Sequence, residues 1–352
     1  MFITGVGTAV PTARYSKSQC WEAFAGSAWF GRLGPRAHAV ARAVLQRDNG
    51  IETRHLAIDS LEEVFRIEPD VLHARFLTNA PALARQASLA AIESSGLDLA
   101  QIDGLVISSC TGYLCPGLSS YVIEALRLRA DVQAFDLVGQ GCAAALPNLR
   151  LASALLASGQ CNHVLSVCVE VSSAAMYLDD DPGVLISACL FGDGAGAMVL
   201  SRDEARHVRR IKWLHAESMI EPELRDALKF EQRDGLLRNI LTREVPRYAA
   251  LYAQQVLDKA LRSTHAERAD ISAWIMHPGG RDVLLALERQ IGLCAEDLRY
   301  SAAVLRDYGN LSSASVYFVM KAALLDGAPA GAWWLSSFGA GFSCHGALLE
   351  VE

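Results

Sequence analysis

The chain has 352 residues, 51% of them hydrophobic, with a net charge of −7 and a pI near 5.7. That length and apolar content suffice for two hydrophobic cores. The acidic balance gives no basic footprint for nucleic acid or an anionic membrane. No stretch approaches the roughly 18 uninterrupted apolar residues of a spanning helix, and the amino terminus lacks the pattern of a secretory signal. Nine cysteines without C-x-x-C spacing and nine histidines without H-x-x-x-H spacing predict free thiols in a reducing cytoplasm, with neither a disulfide framework nor a metal site.

In chain order, residues 2–10 read as a buried strand closed by Pro11. Residues 16–48 carry helical periodicity with several arginines, among them Arg32, Arg36, Arg42 and Arg47. These read as a solvated face, with the holding of a phosphate-bearing tail as the functional alternative. Arg54 follows, then a charged segment to Asp70, a helix expected from about Asn79 to Ser95, a strand over Leu105–Ser109 and a helix over about 118–128. The stretch from Phe135 to Gly159 runs as a short apolar segment past Gly139 and Gly141 to Cys142, then into an Ala/Leu-rich helix. A thiol at such a strand-to-helix turn faces the positive end of a helix, which favours a thiolate. The bland alternative is a small buried thiol in a tight turn. His163–Glu170 is expected as a strand, and ISACLFGDGAGAMVLS as a short helix, a glycine turn and a strand.

From about Asp203 the pattern restarts. The expected order is a strand around Val208–Ala216, a polar segment to Gly235, a helix from about Pro246 to Arg262 and the strand Ile271–Met276. HPGG, a helix from Arg281, a helix from Asn310 to Leu325 and a closing strand–turn–strand complete the chain. FGDGAGAMVL at 191–200 and FGAGFSCHGALL at 338–349 echo each other, as do 96–109 and 265–276. A duplicated α/β design follows, with halves expected at 1–205 and 206–352.

His277 stands at the carboxyl end of a predicted strand, where α/β sheets place ligand-binding residues; a lone histidine there is more often structural. Asn310 opens a helix and reads singly as an N-cap. Together, Cys142, His277 and Asn310 supply a nucleophile for acyl transfer and two donors for an oxyanion or enolate. The trio fits both condensing and hydrolysing chemistry.

The words around these residues decide between them. Gly-Cys at the helix start, WIMHPGG at 274–280, YGNLSSA at 308–314, FGDGA at 191–195 and the closing FGAG at 338–341 resemble the chalcone/stilbene synthase family, the type III polyketide synthases. The likeness runs from residue 3 to residue 350. It implies a thiolase-like, duplicated, five-layer αβαβα fold, a homodimer, and catalytic roles for Cys142, His277 and Asn310. It further implies loading of an acyl-CoA starter on the cysteine, decarboxylative extension with malonyl-CoA and cyclisation, with no cofactor beyond the CoA thioesters. Phe191 matches a gatekeeping phenylalanine, and Ser312 and Gly341 match cavity or closing-loop positions. A second gatekeeper, usually Phe before Val245-Pro246, falls on Arg238. Cys115 stands where plant members place a methionine that reaches into the partner's cavity, and Ala340 where a proline is usual. Arg42, Arg47 and Arg54 are candidates for holding CoA. Small residues such as Cys110 and Cys115 suit an alkyl chain, hence a fatty acyl starter. Pro147, five residues past Cys142, should remove one helical hydrogen bond.

The nearest rival is a priming-type ketoacyl synthase acting on a carrier protein. A cysteine-dependent thioester hydrolase is the rival from another class. A thiolase would need a second cysteine as base; Cys344 invites that role but reads as a core residue of the last strand.

Overall fold

The computed structural model describes residues 1–204 and 209–352. The first half contains β1 (Phe2–Ala9), β2 (Arg14–Ser16), α1 (Lys17–Ala25), α2 (Pro35–Gln46), β3 (Thr53–His55) and α3 (Pro69–Ser95). It continues with β4 (Gly104–Ser108), α4 (Leu118–Leu126), β5 (Gln133–Leu137), α5 (Ala145–Ala157), β6 (His163–Glu170), α6 (Pro182–Leu190) and β7 (Gly194–Ser201). The second half contains β8 (Ile211–Ile220), β9 (Leu228–Arg233), β10 (Leu236–Leu241), α7 (Val245–Thr264) and β11 (Ile271–Met276). Then come α8 (Arg281–Ile291), α9 (Arg299–Tyr308), α10 (Ser315–Leu325), β12 (Gly331–Gly339) and β13 (Ser343–Val351).

The main sheet has the order β11-β12-β13-β8-β1-β7-β6-β4-β5. Its two parts meet at a single residue pair, Phe2 opposite Lys212. Each part repeats one topology: the first strand lies antiparallel to the last, the last antiparallel to the one before it, and that one parallel to an earlier strand. In the first half these are β1, β7, β6 and β4; in the second, β8, β13, β12 and β11. Both echoes in the sequence therefore fall on topologically equivalent strands.

Helices complete five layers. On the outside, α3 covers β1, β6 and β7, and α7 covers β8, β12 and β13. Between the two parts of the sheet lie α5, touching β4 and β6 on one side and β12 and β13 on the other, and α10, touching β1 and β7 and then β11 and β12. Burial explains who goes where. Ser315 through Met320 of α10 are all buried, and a helix that is apolar around its circumference belongs inside a structure. In α8, by contrast, only Val283, Leu284, Leu287 and Ile291 are buried, a single stripe. β6 and β7 are covered on both faces, which is why they read as continuous apolar runs.

Three expectations change. The helix before Ser95 begins at Pro69, not Asn79, and absorbs part of the charged segment as its exposed face. The stretch 16–48 is two helices, interrupted between Ala25 and Pro35. The polar segment before Gly235 contains β9, which forms a hairpin with β10 just after it. Asp234 and Gly235 at its tip both have positive φ, 53° and 78°, as a type I′ turn requires. Val208, where a strand was expected to begin, lies outside the described residues, as does the expected division between 205 and 206; the strand found there is β8. No helix among the described residues is long and apolar enough to cross a membrane.

Candidate active site

The two central helices begin at the same place. Cys142 lies in a single 3-10 turn, Gly141–Ala143, that leads into α5. Ser312 opens the matching turn, Ser312–Ala314, before α10. The Ser312 hydroxyl donates to Cys142 Sγ at 3.3 Å across the interface between the halves. Ser312 holds a positive φ of 51°, a conformation that non-glycine residues adopt only when their surroundings impose it. Here the restraint is Asn310, whose Oδ1 accepts the Ser312 backbone N–H at 2.8 Å. The Asn310 amide N–H in turn reaches the Gly279 carbonyl at 3.0 Å, two residues past His277. Asn310 thus acts as a local cap, as its position suggested, and also ties the start of α10 to the HPGG segment.

His277 is buried beyond the end of β11, at 1% exposure. Its ring packs edge-on against Phe338, centroid to centroid 4.9 Å. Neither ring nitrogen has a hydrogen-bond partner among the described residues. Burial alone lowers its pKa from 6.5 to about 3, so the ring is neutral at physiological pH. The strand β12 links this residue to the nucleophile turn. Phe338 touches His277, and Gly339 lies so close to the turn that a Cβ there would stand 2.5 Å from the Ala143 nitrogen and 2.6 Å from the Gln140 carbonyl oxygen. Glycine at 339 is therefore a packing requirement.

Glu170, at the carboxyl end of β6 and 0% exposed, is the residue that sequence reasoning missed. Its carboxylate accepts from Thr111 Oγ1 at 2.9 Å, the Cys110 backbone N–H at 3.1 Å and Ser313 Oγ at 2.5 Å, and Ser312 Oγ lies 3.3 Å from it. Cys110 Sγ also lies 3.3 Å from it and 3.4 Å from Ser312 Oγ. Burial raises the Glu170 pKa, while the hydroxyl and N–H donors, Ser313 first, oppose the rise. The cue in the sequence was an acid ending the apolar strand HVLSVCVE, at the sheet edge where ligands bind.

The helix-end argument predicted a thiolate at Cys142. Burial dominates instead, and it pushes the thiol up to about 12; the Ser312 hydrogen bond works against the shift and Glu170 adds to it.

Cys142, Cys110, Ser312 and Phe191 line one cavity, walled further by Met176 and Phe230. Ala340 lines it as well, placing its neighbour Gly341 in the closing turn. Phe191 is carried by a backbone bridge to Asn310. Arg238 is not among the lining residues. Its guanidinium is held by Asp179 at 2.9 Å, Glu231 at 3.0 Å and Asp181 at 3.5 Å. Strand alternation gives the reason: Arg238 pairs with Glu231, while the next residue, Asn239, sits opposite Phe230, and those two face the cavity. Arg238, expected at the cavity, therefore points away from it, and Asn239 stands there instead.

Arg54 is likewise corrected as a CoA-holding candidate. It is buried at 7% exposure, and its Nη1 donates to the carbonyls of Ala188 and Phe191, both at 3.0 Å, so it braces the Phe191 turn. Arg42 and Arg47 are exposed, at the carboxyl-terminal end of α2. Cys115 is exposed on the loop after β4 and does not line this chain's own cavity. Cys344 is a fully buried residue of β13. All nine cysteines are free, and no cluster of three or more His, Cys, Asp or Glu among the described residues is placed to hold a metal ion.

A five-layer αβαβα stack whose central helices start at a thiol and at an Asn-x-Ser turn defines the thiolase-like condensing class. Residues 62–216 match the FAE1/type III polyketide synthase-like protein family, and residues 214–349 match the C-terminal domain of chalcone and stilbene synthases. A 3,5-dihydroxyphenylacetyl-CoA synthase from Streptomyces toyocaensis is 30% identical over 342 residues, covering 92% of this chain and 83% of the relative. PKS-I from the brown alga Ectocarpus siliculosus superposes with a TM-score of 0.91 at 25% identity, over 100% of this chain and 98% of that one. The C-terminal type III polyketide synthase domain of Steely1 from Dictyostelium gives 0.89 at 26% identity, over 99% of each chain. The chain belongs to the type III polyketide synthases. It is an acyltransferase that builds polyketides from acyl-CoA and malonyl-CoA.

Proposed function

We propose that Cys142 carries the growing chain, with His277 and Asn310 as its catalytic partners. In loading, the Cys142 sulfur attacks the acyl-CoA carbonyl; the thiol proton passes to the departing CoA sulfur, CoA leaves as its thiol, and the acyl group stays on Cys142. In extension, malonyl-CoA loses CO2 and its thioester oxygen gains enolate charge. An N–H of His277 and the second N–H of Asn310 stabilise that oxygen, a type of contact worth about 3 kcal/mol per donor. The enolate carbon attacks the Cys142 thioester, releasing the thiolate and lengthening the chain by two carbons. The observation that carries this reading is His277: a buried imidazole with both nitrogens unpartnered is costly unless a ligand completes it.

The wall formed by Met176, Val184, Leu228 and Phe230 suits an apolar starter, and the name of the Streptomyces relative supports a resorcinol-type ring as product. The protein acts as a homodimer in the cytoplasm, where free thiols such as the exposed Cys115 and Cys294 stay reduced.

Incubation with a panel of acyl-CoA starters and labelled malonyl-CoA tests the reading. Mass spectrometry should find cyclised polyketides, and an acyl adduct on the Cys142 peptide that Cys142→Ala abolishes. Release of free acid without chain growth, or products formed only on a carrier protein, would replace it with one of the two rivals.

A further inference from the structure

Two polar groups in the cavity wall have no partner, and the reaction as described uses neither. Asn239, 7% exposed, carries an amide oxygen with no hydrogen bond among the described residues, and the Ser172 hydroxyl is equally unpartnered and inaccessible. Both residues line the cavity that contains Cys142. They come from separate elements, Ser172 from the turn just past β6 and Asn239 from β10. The resemblance leads one to expect phenylalanine in the segment that supplies Asn239, so an apolar side chain fits this wall without an orphaned atom. A buried acceptor left unpaired costs on the order of 1–3 kcal/mol, and native structures retain few of them. Two in one cavity, on walls brought together only by folding, point to a partner that arrives with the ligand.

We infer that Asn239 and Ser172 form a hydrogen-bonding station for the 1,3-dicarbonyl segment of the growing poly-β-keto chain. The argument rests on the polyketide synthase reading above. In its enol form such a segment presents one O–H donor and one carbonyl acceptor. The amide oxygen of Asn239 accepts the first, and the hydroxyl of Ser172 donates to the second. An acyl starter without a β-keto group offers this station nothing beyond its thioester. The station therefore acts after the first extension and sets how far the chain is held before it cyclises or leaves.

Asn239→Leu removes the amide at nearly constant volume, and Ser172→Ala removes the hydroxyl. Products from labelled malonyl-CoA are quantified by length for each enzyme, normalised to the acyl adduct on Cys142. Both variants should shift the ratio of longest to shortest product downward by roughly five- to tenfold, about the worth of one buried hydrogen bond. Asn239→Leu should also leave the melting temperature of the unliganded protein equal or higher, because it deletes an unpaired acceptor. An unchanged product ratio overturns the station. So does a lower melting temperature for Asn239→Leu, since that would mean the amide already has a partner in the empty protein. If the wild type makes no polyketide at all, the broader reading fails and not this inference alone.

Discussion

At Cys142 two fields act in opposite directions. The ends of two helices meet at the sulfur and favour negative charge; burial and the nearby Glu170 carboxylate oppose it, and they win. Alkylation of Cys142 by iodoacetamide in the free enzyme should therefore keep rising with pH well past the range of an ordinary thiol. Glu170→Gln removes one cause of the upward shift, so its alkylation profile should move to lower pH; a profile that stays put or moves up would show that Glu170 does not bear on the sulfur. The same residues show what single letters reveal. That the segments carrying Cys142, Asn310 and His277 meet was legible in the motifs around them, and the bonds from Cys142 to Ser312 and from Asn310 to Ser312 and Gly279 show the meeting. Arginine was not legible. The guanidinium of Arg54 meets main-chain carbonyls and that of Arg238 meets carboxylates, and neither arrangement can be told from a phosphate contact by residue type. Glu170 was passed over because a buried acid without a cation is rare, and only the fold reveals the hydroxyls that satisfy it.

At the scale of elements, Pro147 acquires a structural account. It sits in the first turn of α5, and a residue with an N–H there would donate to the Ala143 carbonyl, just as Asn148 donates to Ala144 at 3.0 Å. Proline leaves that buried carbonyl free. Ser337 of β12 fills the vacancy, its hydroxyl donating to the Ala143 oxygen at 2.9 Å. The turn that carries Cys142 is thus fastened to the other half of the molecule by a bond the helix gave up. Ser337→Ala should destabilise the protein by about 1–3 kcal/mol, the range for an orphaned buried acceptor. In a Pro147→Ala background the restored N–H takes over, and the same Ser337→Ala change should cost much less. Urea unfolding of the four proteins gives the coupling energy; a value near zero would mean that Ser337 and the proline are unrelated. The loss of a helical bond at Pro147 was legible in the sequence; its replacement by Ser337, 194 positions from Ala143, was not. The hairpin of β9 and β10 could have been read. Asp-Gly at 234–235 is a strong turn signal, obscured because the flanking strands are short and the one before it, LKFEQR, is mostly polar.

For the whole molecule, the repeated topology is incomplete in one respect. The first half adds β5 beyond β4, and no strand among the described residues occupies the equivalent place beyond β11. The paired FG-x-G words and the two matching strands made the duplication legible; the extra strand has no echo to reveal it. As an edge, β5 offers unpaired backbone groups, a template for another chain. Around it the surface is apolar: Tyr113 is 73% exposed, Val138 68% and Phe135 36%. Apolar side chains grouped beside a free edge suit a contact surface, and the homodimer proposed above predicts a second copy of this chain there. The combined change Tyr113→Asp and Val138→Asp places two charges in that contact. It should convert a dimer, sized by light scattering at micromolar concentration, into a monomer with an unaltered circular dichroism spectrum. Cys115 supplies a second readout. It lies on the same loop as Tyr113, while the other exposed cysteine, Cys294, follows α8 on the opposite half. With a partner in place, maleimide should label Cys294 quickly and Cys115 slowly; in the charged variant both should label quickly. Rapid labelling of Cys115 in the wild type, or a variant that remains dimeric, would place the contact elsewhere.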